Sequence, residues 1–178
     1  MKKLQFILPV LLFGACTSAW PANFNMTCTA ANSTLPFNAY DVLGGTAATT
    51  PTGTITVTCT TTSTTAVTVS YSLTLATTPA RKLTSASNSL TYDLYTDAAF
   101  SIQWGTAGTC TAGSNTNAGN RICGSFSVPA RGSASQSKTY YGKVPGGSDV
   151  PTGTYSQTGL VVTLTYSCNP APTGAGTC

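Results

Sequence analysis

Few side chains in this sequence are able to do chemistry, and their types are informative. Histidine and glutamate are absent, and the only acids are Asp41, Asp93, Asp97 and Asp149. Without histidine there is no Ser-His or Cys-His nucleophile pair and no imidazole metal ligand. Asp93 and Asp97 are the close pair of acids. On a strand they would share a face about 13 Å apart, too far for the paired carboxylates of a glycosidase. Asp97 better suits the turn Thr96-Asp97-Ala98-Ala99, where a short carboxylate bonds nearby backbone. No phosphate-binding loop, dinucleotide fingerprint or nucleophile elbow occurs. The sequence predicts no enzyme, no cofactor and no metal centre.

Cysteine is the reactive type that remains. Cys28, Cys59, Cys110, Cys123, Cys168 and Cys178 follow an N-terminal segment that holds a seventh, Cys16. They form no CxxC, which argues against zinc. Met1-Lys2-Lys3, an apolar run from Leu4 to Cys16 and the small residues Thr17-Ser18-Ala19 read as a secretory signal peptide over residues 1–19. The run is too short for a retained membrane span. Lipoprotein processing at Cys16 is the rival reading. Either route exports the chain to an oxidising compartment, where an even set of cysteines forms disulfides. Many connectivities are open to six cysteines, and sequential pairing is expected. Cys28–Cys59 would staple the first strand to the next, Cys110–Cys123 would close a Gly/Asn/Ser-rich loop, and Cys168–Cys178 would bracket the tail. Each closed loop would stabilise by about 3 kcal/mol.

Composition limits the partners. Charged residues make up 7% of the chain, so its 35 threonines, with serine and asparagine, must supply solubility. The β-branch of threonine also favours strands. Hydrophobic content of 41% with clear periodicity argues against disorder. The net charge of +4 falls to +2 once Lys2 and Lys3 are removed, leaving six bases against four acids. Arg81-Lys82 is then the sole adjacent basic pair, so no nucleic-acid footprint survives.

The elements are strands. Trp20, Ala22, Phe24, Met26 and Cys28 share one face of a first alternating segment. Leu35 to Asn38 reads as a short edge piece broken by Pro36, and Gly44 to Gly53 as a loop. Thr54 to Thr60 and Ala66 to Leu75 are strands, the latter with Val67, Val69, Tyr71, Leu73 and Leu75 aligned. Ser89 to Thr96 is the next strand, and Phe100 to Trp104 continues it with Phe100, Ile102 and Trp104 on one side. Residues 105–120 are loop, Ile122 to Val128 strand, Ala130 to Ser137 a polar turn, and Thr139 to Val144 strand. Tyr155 to Ser167 is the longest strand, with Leu160, Val162, Leu164 and Tyr166 on one face. Residues 169–178 form a Pro/Gly-rich tail without strand pattern. Regular short strands between Gly/Pro turns predict an all-β, immunoglobulin-like sandwich over residues 20–168. Its structured part would end on a long apolar-faced strand, which needs a cover on its open edge. The first strand is one cover, and a strand from another chain is the other. Tyr92, Tyr95, Trp104, Tyr140 and Tyr141 could form a carbohydrate-stacking surface or pack the sheet faces.

Four segments resemble the spore coat protein U family, which includes subunits of archaic chaperone–usher pili. They are Gly53 to Cys59; Leu90 to Asp97 followed by Trp104-Gly105; Thr139 to Pro145; and Val150 to Tyr155 with the strand ending at Tyr166. Tyr92, Leu94, Tyr95, Asp97, Trp104, Gly105, Tyr141, Gly142, Pro145, Pro151, Gly153 and Tyr155 carry the resemblance. It implies a pilin-like sandwich lacking its final strand and assembled by donor-strand complementation. Leu160, Val162, Leu164 and Tyr166 would then line the acceptor edge. Trp20, Ala22, Phe24 and Met26 would be either this domain's first strand or a short donor for another subunit. The implied partners are a periplasmic chaperone, an outer-membrane usher and neighbouring pilins. The chain would pass through the periplasm to a surface pilus or coat, with roles in adhesion or biofilm formation. A stand-alone adhesin or lectin-like domain and a self-complemented coat protein are the alternatives.

Overall fold

The structure is a computed structural model that describes residues 23–33, 35, 37, 48–76, 81–151, 155–157, 160–173 and 175–178. The expected signal peptide, Cys16, Trp20, Ala22, Pro36 and Gly153 lie outside these residues.

Among the described residues, ten strands follow in chain order: β1 Met26–Asn32, β2 Ala48–Thr61, β3 Val67–Leu75, β4 Lys82–Ser85, β5 Asn88–Thr91, β6 Asp93–Tyr95, β7 Ile122–Val128, β8 Ser133–Val144, β9 Ser156–Gln157 and β10 Val162–Asn169. All their pairings are antiparallel. One sheet has the order β1-β2-β8-β6, the second β10-β3-β7, and a small third sheet β5-β4-β9. The protein is all-β, with the first two sheets sharing one apolar core.

The alternation of threonine with aliphatic residues builds these strands. In β2, Ile55, Val57 and Cys59 are buried, while Thr54, Thr58 and Thr60 are exposed. The outward hydroxyls bond across strands: Thr56 Oγ1 lies 2.8 Å from Ser137 Oγ, and Ser72 Oγ lies 2.8 Å from Thr165 Oγ1. Such a face is soluble without charge. In the core, Trp104 is fully buried against Tyr140, and its indole Nε1 donates to Leu73 O at 3.1 Å. Burying an indole without that acceptor would leave an unpaired donor.

Several expectations from the sequence need correction. Residues 48–53, read as part of a loop, form the first part of β2. The ladder shifts register between Thr49 and Thr52, a bulge that accommodates Pro51. Ser133 to Ser137, read as turn, belongs to β8 and pairs with Thr56 to Thr60. Phe100 to Trp104 is not a strand. Phe100 has φ of 54°, Ile102 is 42% exposed and Trp104 is buried, because Asp97 folds this stretch into a turn. The long strand from Tyr155 to Ser167 is two pieces, β9 and β10. Leu35 and Phe37 are half-buried and lie outside any strand, and β4 has no counterpart in the sequence reading. Tyr92, Trp104 and Tyr140 are buried, so they cannot belong to a carbohydrate-stacking surface.

Candidate strand-acceptor site

Four strands end the two main sheets, and each outer edge has its own treatment. On β7, the side chain of Asn115 imitates a neighbouring strand. Ser125 N donates to its Oδ1 at 2.9 Å, and its Nδ2 donates to Ser125 O at 3.1 Å. Cys123 N donates to Asn117 Oδ1 at 3.1 Å. The Cys110–Cys123 disulfide pins this loop against the strand. On β6, Trp104 N donates to Leu94 O at 2.7 Å and Thr96 N donates to Ile102 O at 3.0 Å, so the Asp97 turn caps that edge. Desolvation pulls the Asp97 carboxyl up, but hydrogen bonds from the Ile102 amide and from the Ser101 hydroxyl and amide overcome it and hold the group below its ordinary range.

The other two edges, on β1 and β10, are different. Asn25 O accepts from Thr62 N at 3.0 Å and Ser33 N donates to Thr54 O at 2.7 Å, so the odd-numbered residues of β1 turn their backbone toward β2. In an antiparallel ladder the next residue turns the other way. The N–H and C=O groups of Cys28, Ala30 and Asn32 therefore point to the outer edge. On β3, Leu75 N donates to Gly105 O at 3.1 Å and Val69 O accepts from Ser125 Oγ at 2.9 Å, both on the side away from β10. The even-numbered residues of β3 thus bond β10. The register Ser72↔Thr165 then leaves the backbone groups of Val162, Leu164, Tyr166 and Cys168 facing outward. Among the described residues, none of these outward groups on β10 has a backbone partner.

Side chains and backbone groups both alternate with a period of two. On β10, and at Cys28 and Ala30 of β1, the residues with outward backbone groups are therefore those whose side chains turn to the core. On β3 the inward row from Val67 to Leu75 is at most 2% exposed. On β10 the inward row of Val162, Leu164, Tyr166 and Cys168, with Leu160 before it, is only half-buried, although it packs against the same core. Cys28 and Ala30 on β1 are half-buried in the same way. The two strands are bridged where β1 starts and β10 ends, by Tyr166 Oη donating to Met26 O at 3.4 Å. Among the described residues, the arrangement is two neighbouring edges, each with a half-buried apolar row and outward backbone groups that no described strand pairs. It can bind an extended chain by strand addition, with inward side chains completing the core.

The disulfides frame these edges. Cys28 and Cys59 are direct partners in the β1–β2 register with a Cα separation of 4.1 Å, which fixes the β1 wall to the sheet. Cys168 at the end of β10 is bonded to Cys178. Phe24 and Met26 are 3% and 2% exposed, so they fill this domain's own core as the lead into a first strand. Most resemblance residues hold the frame. Tyr92, Leu94, Trp104 and Gly105 are buried, Tyr95 and Tyr141 each meet the Phe100 ring edge-on, and Tyr155 Oη donates to Pro151 O at 2.9 Å. Asn115, Asn117 and the contact of Thr177 with β1 were not singled out from the sequence. The placement of Cys178 ten residues after Cys168 was the available sign that the tail must turn back.

The described residues thus form a two-sheet antiparallel domain whose outer β1 and β10 edges carry no further strand. The Spore Coat Protein U domain model matches residues 15–163, and the chain belongs to that family. No curated protein matches. Among solved structures, the chain is similar to one in the crystal structure of the CsuC–CsuE chaperone–tip adhesion subunit pre-assembly complex from the archaic chaperone–usher Csu pili of Acinetobacter baumannii. The TM-score is 0.36 at 17% identity, over 79% of this chain and 39% of that chain. This chain thus spans less than half the length of the one it matches.

Proposed function

We propose that this domain is an exported, non-enzymatic subunit of a bacterial surface fibre or coat, assembled by accepting a strand from another chain. A periplasmic chaperone supplies that strand first, and a neighbouring subunit replaces it after passage through an outer-membrane usher. Adhesion or biofilm formation is then the work of the assembled fibre. The observation that carries this reading is the pair of outer edges on β1 and β10, with the inward row of β10 half-buried while that of β3 is closed. An unpaired edge of this kind would promote aggregation in a free monomer. Membership of the Spore Coat Protein U domain family supports it.

The test is expression of the mature chain in an oxidising periplasm, alone and with a chaperone of the chaperone–usher class from the same bacterium. The expected result is poor recovery alone and a soluble one-to-one complex with the chaperone. A soluble monomer that melts cooperatively without any partner would sink the reading.

A further inference from the structure

Residues 170–173 leave the end of β10, and residues 175–178 lie back at the start of β1. Thr177 lies beside Asn25 in a parallel bridge. Its carbonyl accepts from Met26 N at 2.9 Å, and its amide and hydroxyl each lie 3.3 Å from Asn25 Oδ1. Met26 N is on the outer edge of β1, the edge that borders the groove. The tail therefore occupies the first position of the edge that an incoming strand would use. It is tethered at the opposite wall, because Cys178 is bonded to Cys168 on β10. Gly176 packs closely on the segment leading into β1: a Cβ there would lie 2.5 Å from Phe24 O and 2.7 Å from Asn23 Oδ1.

We propose that this disulfide-tethered tail is an end-stop for the acceptor groove, setting the register and maximum length of the strand it takes. An incoming strand can pair with β1 from Cys28 to Asn32 but not at Met26, whose amide is already bonded. The inference rests on the strand-acceptor reading. It extends it by naming the residues that select among donor strands: Gly176, Thr177 and the Cys168–Cys178 pair. A donor with a long apolar register would be excluded, and one that ends or turns at the Met26 position would be accepted.

Three forms of the folded domain test this. They are the unaltered chain, Gly176→Val, and a chain ending at Asn169 that also carries Cys168→Ser. The valine would be driven into Phe24 O and lift the tail while keeping the disulfide; the shortened chain removes the tail altogether. The probes are synthetic peptides of alternating threonine and valine, roughly five, seven and nine residues long, chosen to match strand repeats. For the unaltered chain, affinity should stop rising at roughly five residues, the reach of the free β1 edge. In both altered forms it should rise about tenfold further with length, the gain expected from one or two added backbone bonds. The Met26 amide should exchange slowly in the unaltered chain and quickly in the altered ones without peptide. Identical length profiles in all three forms would overturn the end-stop and leave the acceptor reading standing. Absence of binding to every form would overturn both. A Met26 amide exchanging as fast as that of Cys28 in the unaltered chain would also overturn the end-stop.

Discussion

Two phenols in the core tie the fold to alkaline pH. Burial raises the Tyr71 hydroxyl to about 12, and that hydroxyl donates to Gln136 Oε1 at 2.7 Å, a bond that needs its proton. Burial likewise raises Tyr92 to about 12, with Arg81 pulling down and Tyr140 pushing up. In the unfolded chain both would ionise near their ordinary value of about 10. The folded state therefore keeps its full stability from these groups below about pH 10 and loses it as pH rises toward 12. Alkaline titration should show Tyr71 and Tyr92 ionising together with loss of the near-ultraviolet circular dichroism signal. Tyr71→Phe should cost about 1 kcal/mol at neutral pH through the lost hydrogen bond. It should also flatten the alkaline limb, since one shifted group is gone. Phenols that all ionise near pH 10 with the fold intact would contradict this account. The neighbouring glycine adds a steric check. A Cβ on Gly124 would run into the ring of Tyr71 and Gln136 Oε1, so Gly124→Ala should destabilise by about 1–3 kcal/mol through overpacking.

At the scale of the element, β10 separates two kinds of substitution. Leu164 turns to the groove, while Thr163 is exposed on the outer face of the same strand. Leu164→Lys would place a charge where a donor's apolar side chain must pack, so it should abolish capture of a donor strand. Thr163→Lys should leave capture unchanged. The check is binding of a strand-length peptide, with circular dichroism to show that both variants remain folded. Equal binding by both would remove β10 as the acceptor wall. The inward rows of β1, β2, β3 and β10 were readable in the sequence because apolar residues mark every second position. The first half of β8 was not, because Ser133 to Ser137 presents only small or polar side chains and is held by pairing with β2. The opposite error occurred at Phe100 to Trp104, where alternation was present but Asp97 bonds the Ser101 and Ile102 amides and bends the chain. The half-buried inward row of Leu160, Val162, Leu164 and Tyr166 was legible as apolar alternation. The bridge of Thr177 to Asn25 was not, because the two meet only through the folded geometry of both sheets.

At the scale of the whole molecule, the proposed strand acceptance would make stability depend on a partner. Anything that binds the folded state and not the unfolded one stabilises by mass action, about 2.7 kcal/mol at a hundredfold excess over Kd. For a domain of 150–250 residues each kcal/mol moves Tm by roughly 2–4 °C, so a saturating donor peptide should raise Tm by about 5–11 °C. Joining the same donor to the chain through a flexible linker that spans the groove raises its effective concentration to about the millimolar range, independent of protein concentration. The linked form should therefore melt higher than the mixture at dilute peptide, and its Tm should not change on dilution. It should also remain soluble where the bare domain aggregates, because the free backbone groups on β10 and on β1 from Cys28 onward are now paired. The three disulfides join positions already close in the folded state and leave the seam open, so they cannot replace this effect. If the linked and bare domains melt at the same temperature and stay equally soluble, the β1–β10 seam is already satisfied within the chain and fibre assembly must use another surface.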